Sequence, residues 1–326
     1  MRLSRERLLD EAGATGFRAE ILEKTVQLVS LLEALSAYPA LRGRWALKGG
    51  TALNLFYFNL PRLSVDADIN YVGAASREEA MADRPHVERA MQAVYEREGF
   101  AVRRMPAEHA GGKWRLRFGA ATGGDANLEV DLNFLLRVPM WPVESRDSVP
   151  VGSFSAARIP VLERHELAAG KLAALLSRHT SRDLFDSHIL LTRMPGEPLD
   201  RERLRLAFVV YGGLNRKDWR TVSSSDIDFT QEELQDQLVP VLSTVDARGV
   251  ARDPEWASRL VEETRAALSI VLPLSGSELE FLTRLLDDGE IAPDILTNDS
   301  EMQERIRANP GLQWKALSVR RHRGAG

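Results

Sequence analysis

Residues 45–71 read WALKGGTALNLFYFNLPRLSVDADINY, and two features of this stretch decide the fold. A short apolar run, Trp45 to Leu47, meets Gly49-Gly50-Thr51, and apolar residues then follow at helix-like density from Ala52 to Phe58. That is the pattern of a strand turning into a helix. Glycines at such a turn let backbone N–H groups approach a phosphate, and the helix N-terminus favours its charge. Thr51 can cap that helix or donate to the phosphate. Further on, VDADINYV at 65–72 alternates with period two. Val65, Ala67, Ile69 and Tyr71 share one face of a strand, and Asp66, Asp68 and Asn70 share the other.

The same alternation recurs in NLEVDLNFLL at 127–136, with Leu128, Val130, Leu132 and Phe134 on one face and Glu129, Asp131 and Asn133 on the other. If the two strands lie side by side, four carboxylates converge, which is unfavourable unless a cation neutralises them or some take up protons. Oxygen-only ligands favour Mg²⁺ or Mn²⁺ over zinc, and an open acidic face suits a site whose coordination is completed by substrate phosphates. For either strand alone, a sheet with one wet face is the plainer alternative.

Arg62 and Ser64 lead into the Asp pair, and alternation puts both on its side if the strand extends back so far. There Arg62 either pairs with Asp66 or reaches a phosphate oxygen. In HELAAGKLAALLSR, Lys171 interrupts an apolar stripe of Leu167, Ala168, Ala174 and Leu175. Its ammonium either snorkels to solvent or enters a cleft, where it would face a triphosphate. The next helix opens at Ser181-Arg182-Asp183, with Thr180 or Ser181 as N-cap and Asp183 in the first turn; Asp186 follows one turn later and can hold Arg182 in place.

Other chemistries are excluded or lack a signal. With no cysteine in 326 residues, disulfides, thiolate zinc sites and cysteine nucleophiles are impossible. There is no Walker loop, no G-x-G-x-x-G and no G-x-S-x-G elbow, and His86, His109, His165, His179, His188 and His322 have no metal-ligand spacing. A formal charge of −4 is too balanced for adhesion to nucleic acid by net charge, so such contact needs a local patch. Basic clusters occur at Arg201, Arg203, Arg205, Arg216, Lys217 and Arg220, and at Arg320, Arg321 and Arg323. The first residues lack an apolar core and no long apolar run occurs, so we expect neither signal peptide nor membrane span, and a cytoplasmic location. The first forty residues read as one N-terminal helix on the spacing of Ile21 to Leu35, and mixed α/β patterning up to residue 160 with helical patterning beyond predicts an α/β domain at 1–160 and a mainly helical one at 161–326.

Together LKGGTALNLFYFNLPRLSVDADIN, LEVDLNF, HELAAGKLAALLSRHTSRDLFDSHIL and the closing NPGLQWKAL resemble the AbiEii/AbiGii nucleotidyltransferases, toxins of type IV toxin–antitoxin and phage-abortive systems that include the MenT group. The resemblance implies a polymerase-β-like core with a mixed sheet and a helical C-terminal domain. It implies transfer of a nucleotide from an NTP, in some members to the 3′ end of tRNA, which blocks translation, and a cognate antitoxin encoded nearby. Residue by residue, Gly49, Gly50 and Thr51 match the phosphate-binding motif, Asp66 and Asp68 the metal-binding pair, and Asp131 the third carboxylate, with Glu129 as the other choice. Lys171, Arg182 and Asp183 match the later block. A protein or small-molecule hydroxyl is the alternative acceptor, and a non-catalytic binding module the alternative class.

Overall fold

The computed structural model describes residues 3–105 and 111–324, with side chains up to residue 322. His109 and the side chain of Arg323 lie outside these described residues. The chain divides into two compact units that are not consecutive in sequence. The first comprises Met1–Arg137, Val143–Leu162 and Leu234–Pro254; the second comprises Val138–Pro142, Glu163–Glu233 and Glu255–Gly326.

The first unit is an α/β fold built on a seven-stranded mixed sheet. Its strands are β1 (Trp45–Lys48), β2 (Asp66–Tyr71), β3 (Ala101–Met105), β4 (Gly111–Gly119), β5 (Asp125–Asn133), β6 (Glu144–Arg146) and β7 (Ile159–Val161), in the order β3-β4-β5-β2-β1-β7-β6. β2 and β5 pair in parallel, while β1 runs antiparallel to β2 and β4 antiparallel to β5. Alternation decides which face is dry. Ala67, Ile69, Trp114, Leu116, Leu128, Val130 and Leu132 are buried on one side. The helix Arg77–Arg97 buries Val87, Met91, Val94 and Tyr95, and the Tyr95 ring meets Trp114 edge-on at 6.0 Å. Ser76 caps that helix through the Glu79 N–H, the arrangement expected of a serine one residue before a helix start.

Sequence periodicity locates β2 and β5 within a few residues but misses β3 and β4. It also reads one helix where there are two, Arg5–Thr15 and Ala19–Ala37, separated where Gly16 takes a φ of 74°. A late segment completes this unit. The Leu63 N–H donates to the Val241 carbonyl at 2.9 Å, and the Thr244 N–H donates to the Gly16 carbonyl at 2.7 Å.

The second unit is helical: Arg164–Arg178, Ser181–Thr192, Arg201–Gly213, Trp256–Ala267, Gly276–Thr283, Ser300–Ala308 and Pro310–Gly324. Leu172, Leu175, Leu184, Phe208, Trp219 and Phe281 form its core, with the Phe208 and Trp219 rings 5.2 Å apart. Among the described residues no helix is long and apolar enough to cross a membrane.

One buried carboxyl makes this unit sensitive to pH. Glu166 accepts hydrogen bonds from the Tyr211 hydroxyl at 2.9 Å and the Met140 N–H at 3.0 Å. Burial, only partly offset by these donors, pushes its pKa from 4.5 up to about 7. Because the folded value is the higher, this carboxyl destabilises the fold progressively as pH rises from about 4.5 to about 7. The full effect is on the order of 3 kcal/mol. Glu166→Gln should therefore raise the melting temperature at about pH 8 and leave it nearly unchanged at about pH 4. Circular dichroism melts across that range check this.

Candidate active site

The helix Gly49–Phe56 starts directly at the end of β1. Lys48 at its N-cap makes no side-chain capping bond, so the first helical N–H groups are not satisfied by a side chain there. Gly49 is required twice over. Its φ of 74° lies in the left-handed region, and a Cβ at this position would collide with the Asp68 carboxylate, meeting Asp68 Cγ at 3.2 Å. The helix N-terminus and the Asp68 carboxylate are thus immediate neighbours.

Because the helix begins at Gly49, Thr51 lies in its first turn rather than at the cap. Its buried hydroxyl bonds the Asp66 carbonyl and lies 2.9 Å from Ser64 Oγ. These contacts pin the helix to the start of β2. Arg62 and Ser64 lie before β2, which begins at Asp66, and so outside its alternation; both are buried, and Arg62 Nη1 donates to the Leu63 carbonyl at 2.9 Å.

On the sheet, Asp66 pairs in register with Glu129, Asp68 with Asp131 and Asn70 with Asn133. The parallel register therefore brings the two acidic rows together. Asp131 has its pKa raised, first by burial and then by the charge of Asp68, against the opposing effects of Lys48 and Lys113. Glu129 differs. Lys113 Nζ at 2.8 Å and Arg115 Nη2 at 3.0 Å hold it, and these bonds keep its pKa low. Among the described residues, no three His, Asp or Glu side chains gather closely enough to hold a metal by themselves. Two all-oxygen carboxylates in register do fit Mg²⁺ or Mn²⁺, which are bound through one or two carboxylates with substrate phosphates completing the shell.

Three cations on this face had no sequence signal assigned to them. Lys48 stands opposite Asp68, Lys113 opposite Asp131 and Arg115 opposite Glu129. The alternation in KWRLRF at 113–118 was the signal that could have found the last two.

Lys171, Arg182, Asp183 and Asp186 belong to the second unit. Lys171 is 7% exposed, and its Nζ lies 2.9 Å from carboxylate oxygens of both Asp183 and Asp186. Burial opposes ionisation of Asp183, yet Lys171 and Arg178 outweigh it and hold the pKa low. Thr180 caps the helix through the Asp183 N–H, and Arg182 is exposed. The basic cluster at 201–220 is largely engaged: Arg205 pairs with Glu278, Lys217 with Asp226, and Arg220 with Asp218 and Asp287.

A family model described as "Nucleotidyl transferase AbiEii toxin, Type IV TA system" matches residues 30–260. Among solved structures, MenT4, a nucleotidyltransferase toxin from Mycobacterium tuberculosis H37Rv, is similar with a TM-score of 0.62 and 18% identity. The likeness covers 94% of this chain and 99% of that one, and at this identity it is a likeness of fold. No curated protein matches the chain.

Two substitutions test the geometry. Gly49→Ala should cost about 1–2 kcal/mol from the backbone alone and displace the Asp68 carboxylate, so nucleotide transfer should fall more than stability does. Lys171→Met strands two buried carboxylates and should destabilise the fold by about 3–5 kcal/mol near neutral pH, with partial recovery in Lys171→Met/Asp186→Asn; denaturant unfolding measures both.

Proposed function

The chain belongs to the AbiEii nucleotidyltransferase toxin family of type IV toxin–antitoxin systems and is a nucleotidyltransferase; from that premise we propose that it transfers a nucleotide from an NTP to the 3′ end of tRNA, blocking translation. The family implies a cognate antitoxin, which we expect to be encoded nearby. The observation that carries the proposed site is the register of Asp68 with Asp131 beside the uncapped glycine start of the helix Gly49–Phe56.

In this reading the 3′ hydroxyl oxygen attacks the α-phosphorus, a new O–P bond forms, and the bond to pyrophosphate breaks. The backbone N–H groups at Gly49 and Gly50 bind the triphosphate, aided by the positive end of the helix. Thr51 and Ser64 keep that helix start fixed against β2 rather than touching the phosphate. Asp131 accepts the hydroxyl proton. Its lack of a cation partner among the described residues, set against the two that occupy Glu129, favours Asp131 as the third carboxylate. Asp68 and Asp131 would hold Mg²⁺ or Mn²⁺, with Asp66 on the same face of β2 and substrate phosphates completing the shell. When bound, the metal would lower the pKa of the attacking hydroxyl and offset charge on the leaving pyrophosphate. In the second unit Lys171 is already matched by two carboxylates, so we assign it the ordering of Asp183 and Asp186.

The test is incubation of the protein with each radiolabelled NTP and separate RNA, protein and small-molecule pools, followed by sequencing of RNA 3′ ends. Label should enter RNA, stop on addition of EDTA, and be lost in Asp68→Ala and Asp131→Ala with melting curves intact. Full labelling by Asp68→Ala would remove the basis of the site, and label confined to the protein or small-molecule pool would replace the acceptor.

A further inference from the structure

We propose that β3 and β4 form the seat of the acceptor's phosphate backbone, with Arg103, Lys113 and Arg115 contacting single-stranded RNA as it enters the Asp68–Asp131 pair. This deepens the function proposed above and rests on its assignment of the triphosphate to Gly49 and Gly50.

In phosphoryl displacement the attacking and leaving oxygens lie roughly in line across the phosphorus. The glycine helix start follows β1, the two acidic rows lie on β2 and β5, and the sheet order continues to β4 and then β3 on the side away from β1. With pyrophosphate leaving toward Gly49, the acceptor hydroxyl comes in from the β4 side.

Arg103 is in register with Arg115 across β3 and β4, while Lys113 stands opposite Asp131 and Arg115 opposite Glu129 across β4 and β5. Residues opposite one another share a face, so this row of cations projects from the same face as the carboxylates. It is a local patch on a chain whose formal charge is −4. The Lys113 and Arg115 side chains are 43% and 42% exposed. Both converge on the single carboxylate of Glu129, so the group of three keeps a positive excess. Arg103 is exposed and pairs with no carboxylate among the described residues. The opposite face of the same strands is engaged otherwise: Arg104 lies over the Trp114 ring and pairs with Glu88.

Such a row of cations attracts a polyanion and repels a cationic small molecule, so of the acceptor classes it favours the one that carries phosphates. Contacts of this kind position the strand and carry no base sequence, which leaves the identity of the terminal nucleotides to be read elsewhere.

The test uses full-length Arg103→Glu and Arg103→Glu/Arg117→Glu, with Arg117 as the next exposed residue of the same row. Labelling of RNA is measured against RNA concentration at several salt concentrations, alongside binding of Mg²⁺·NTP. Arg103→Glu should raise the KM for RNA about tenfold and lessen its salt dependence by about 0.7 in the log–log slope for each phosphate no longer neutralised. Turnover at saturating RNA and the Kd for Mg²⁺·NTP should stay at the wild-type values. Arg252→Glu, an exposed arginine at the end of the helix Thr244–Arg252, should leave the KM for RNA unchanged. An unchanged KM and salt slope in the double variant, or an equal rise in Arg252→Glu, would overturn the surface assignment while RNA labelling by the wild type left the proposed function standing. Wild-type protein that labels no RNA would overturn both.

Discussion

Asp68 and Asp131 occupy paired positions on parallel strands, so at neutral pH their mutual repulsion must be relieved from outside the pair. Several surrounding features supply partial relief. The start of the helix Gly49–Phe56 brings its positive end against Asp68, and Lys48 and Lys113 stand opposite the two carboxylates on the neighbouring strands. Neither lysine closes into an ion pair with them; Lys113 pairs instead with Glu129. The arrangement is therefore under-neutralised where a cation and a phosphate would enter and well neutralised one residue pair away, at Glu129.

The two units use the same pairing of charges for opposite purposes. In the first, carboxylates face an open sheet surface and their balance is left incomplete. In the second, Lys171 is closed over by Asp183 and Asp186, a buried and locally complete set whose effect is to lock two consecutive helices together. A lysine within an apolar stripe is a signal common to both outcomes, and only the position of its partners separates them.

That difference explains what could be read from the chain alone. The Asp66–Asp68 and Glu129–Asp131 faces were legible because alternation with period two is a local property of six or so residues. Their parallel register was not, because it depends on the crossover through the helix Arg77–Arg97 and on β3 and β4, and nothing within either acidic segment records it. Arg62 and Ser64 were placed by extending the alternation past the true start of β2, across a stretch where Thr51 instead ties the chain down through Ser64 and the Asp66 carbonyl. The partners of Lys171 lie 12 and 15 positions later, on the next helix, beyond the reach of same-helix neighbours. KWRLRF alternates as clearly as the acidic strands, yet only the register sets its cations beside Glu129 and Asp131.

The return of Leu234–Pro254 to the first unit bears on how the molecule comes into being. Backbone bonds from Leu63 to Val241 and from Thr244 to Gly16 cannot form while the polypeptide is still short of those residues, so the sheet-bearing unit is complete only after synthesis has passed Thr244. A nascent or prematurely terminated product ending near Leu162 would lack that strap. For a member of a toxin family, this threading order ties completion of the sheet-bearing unit to the synthesis of a late segment.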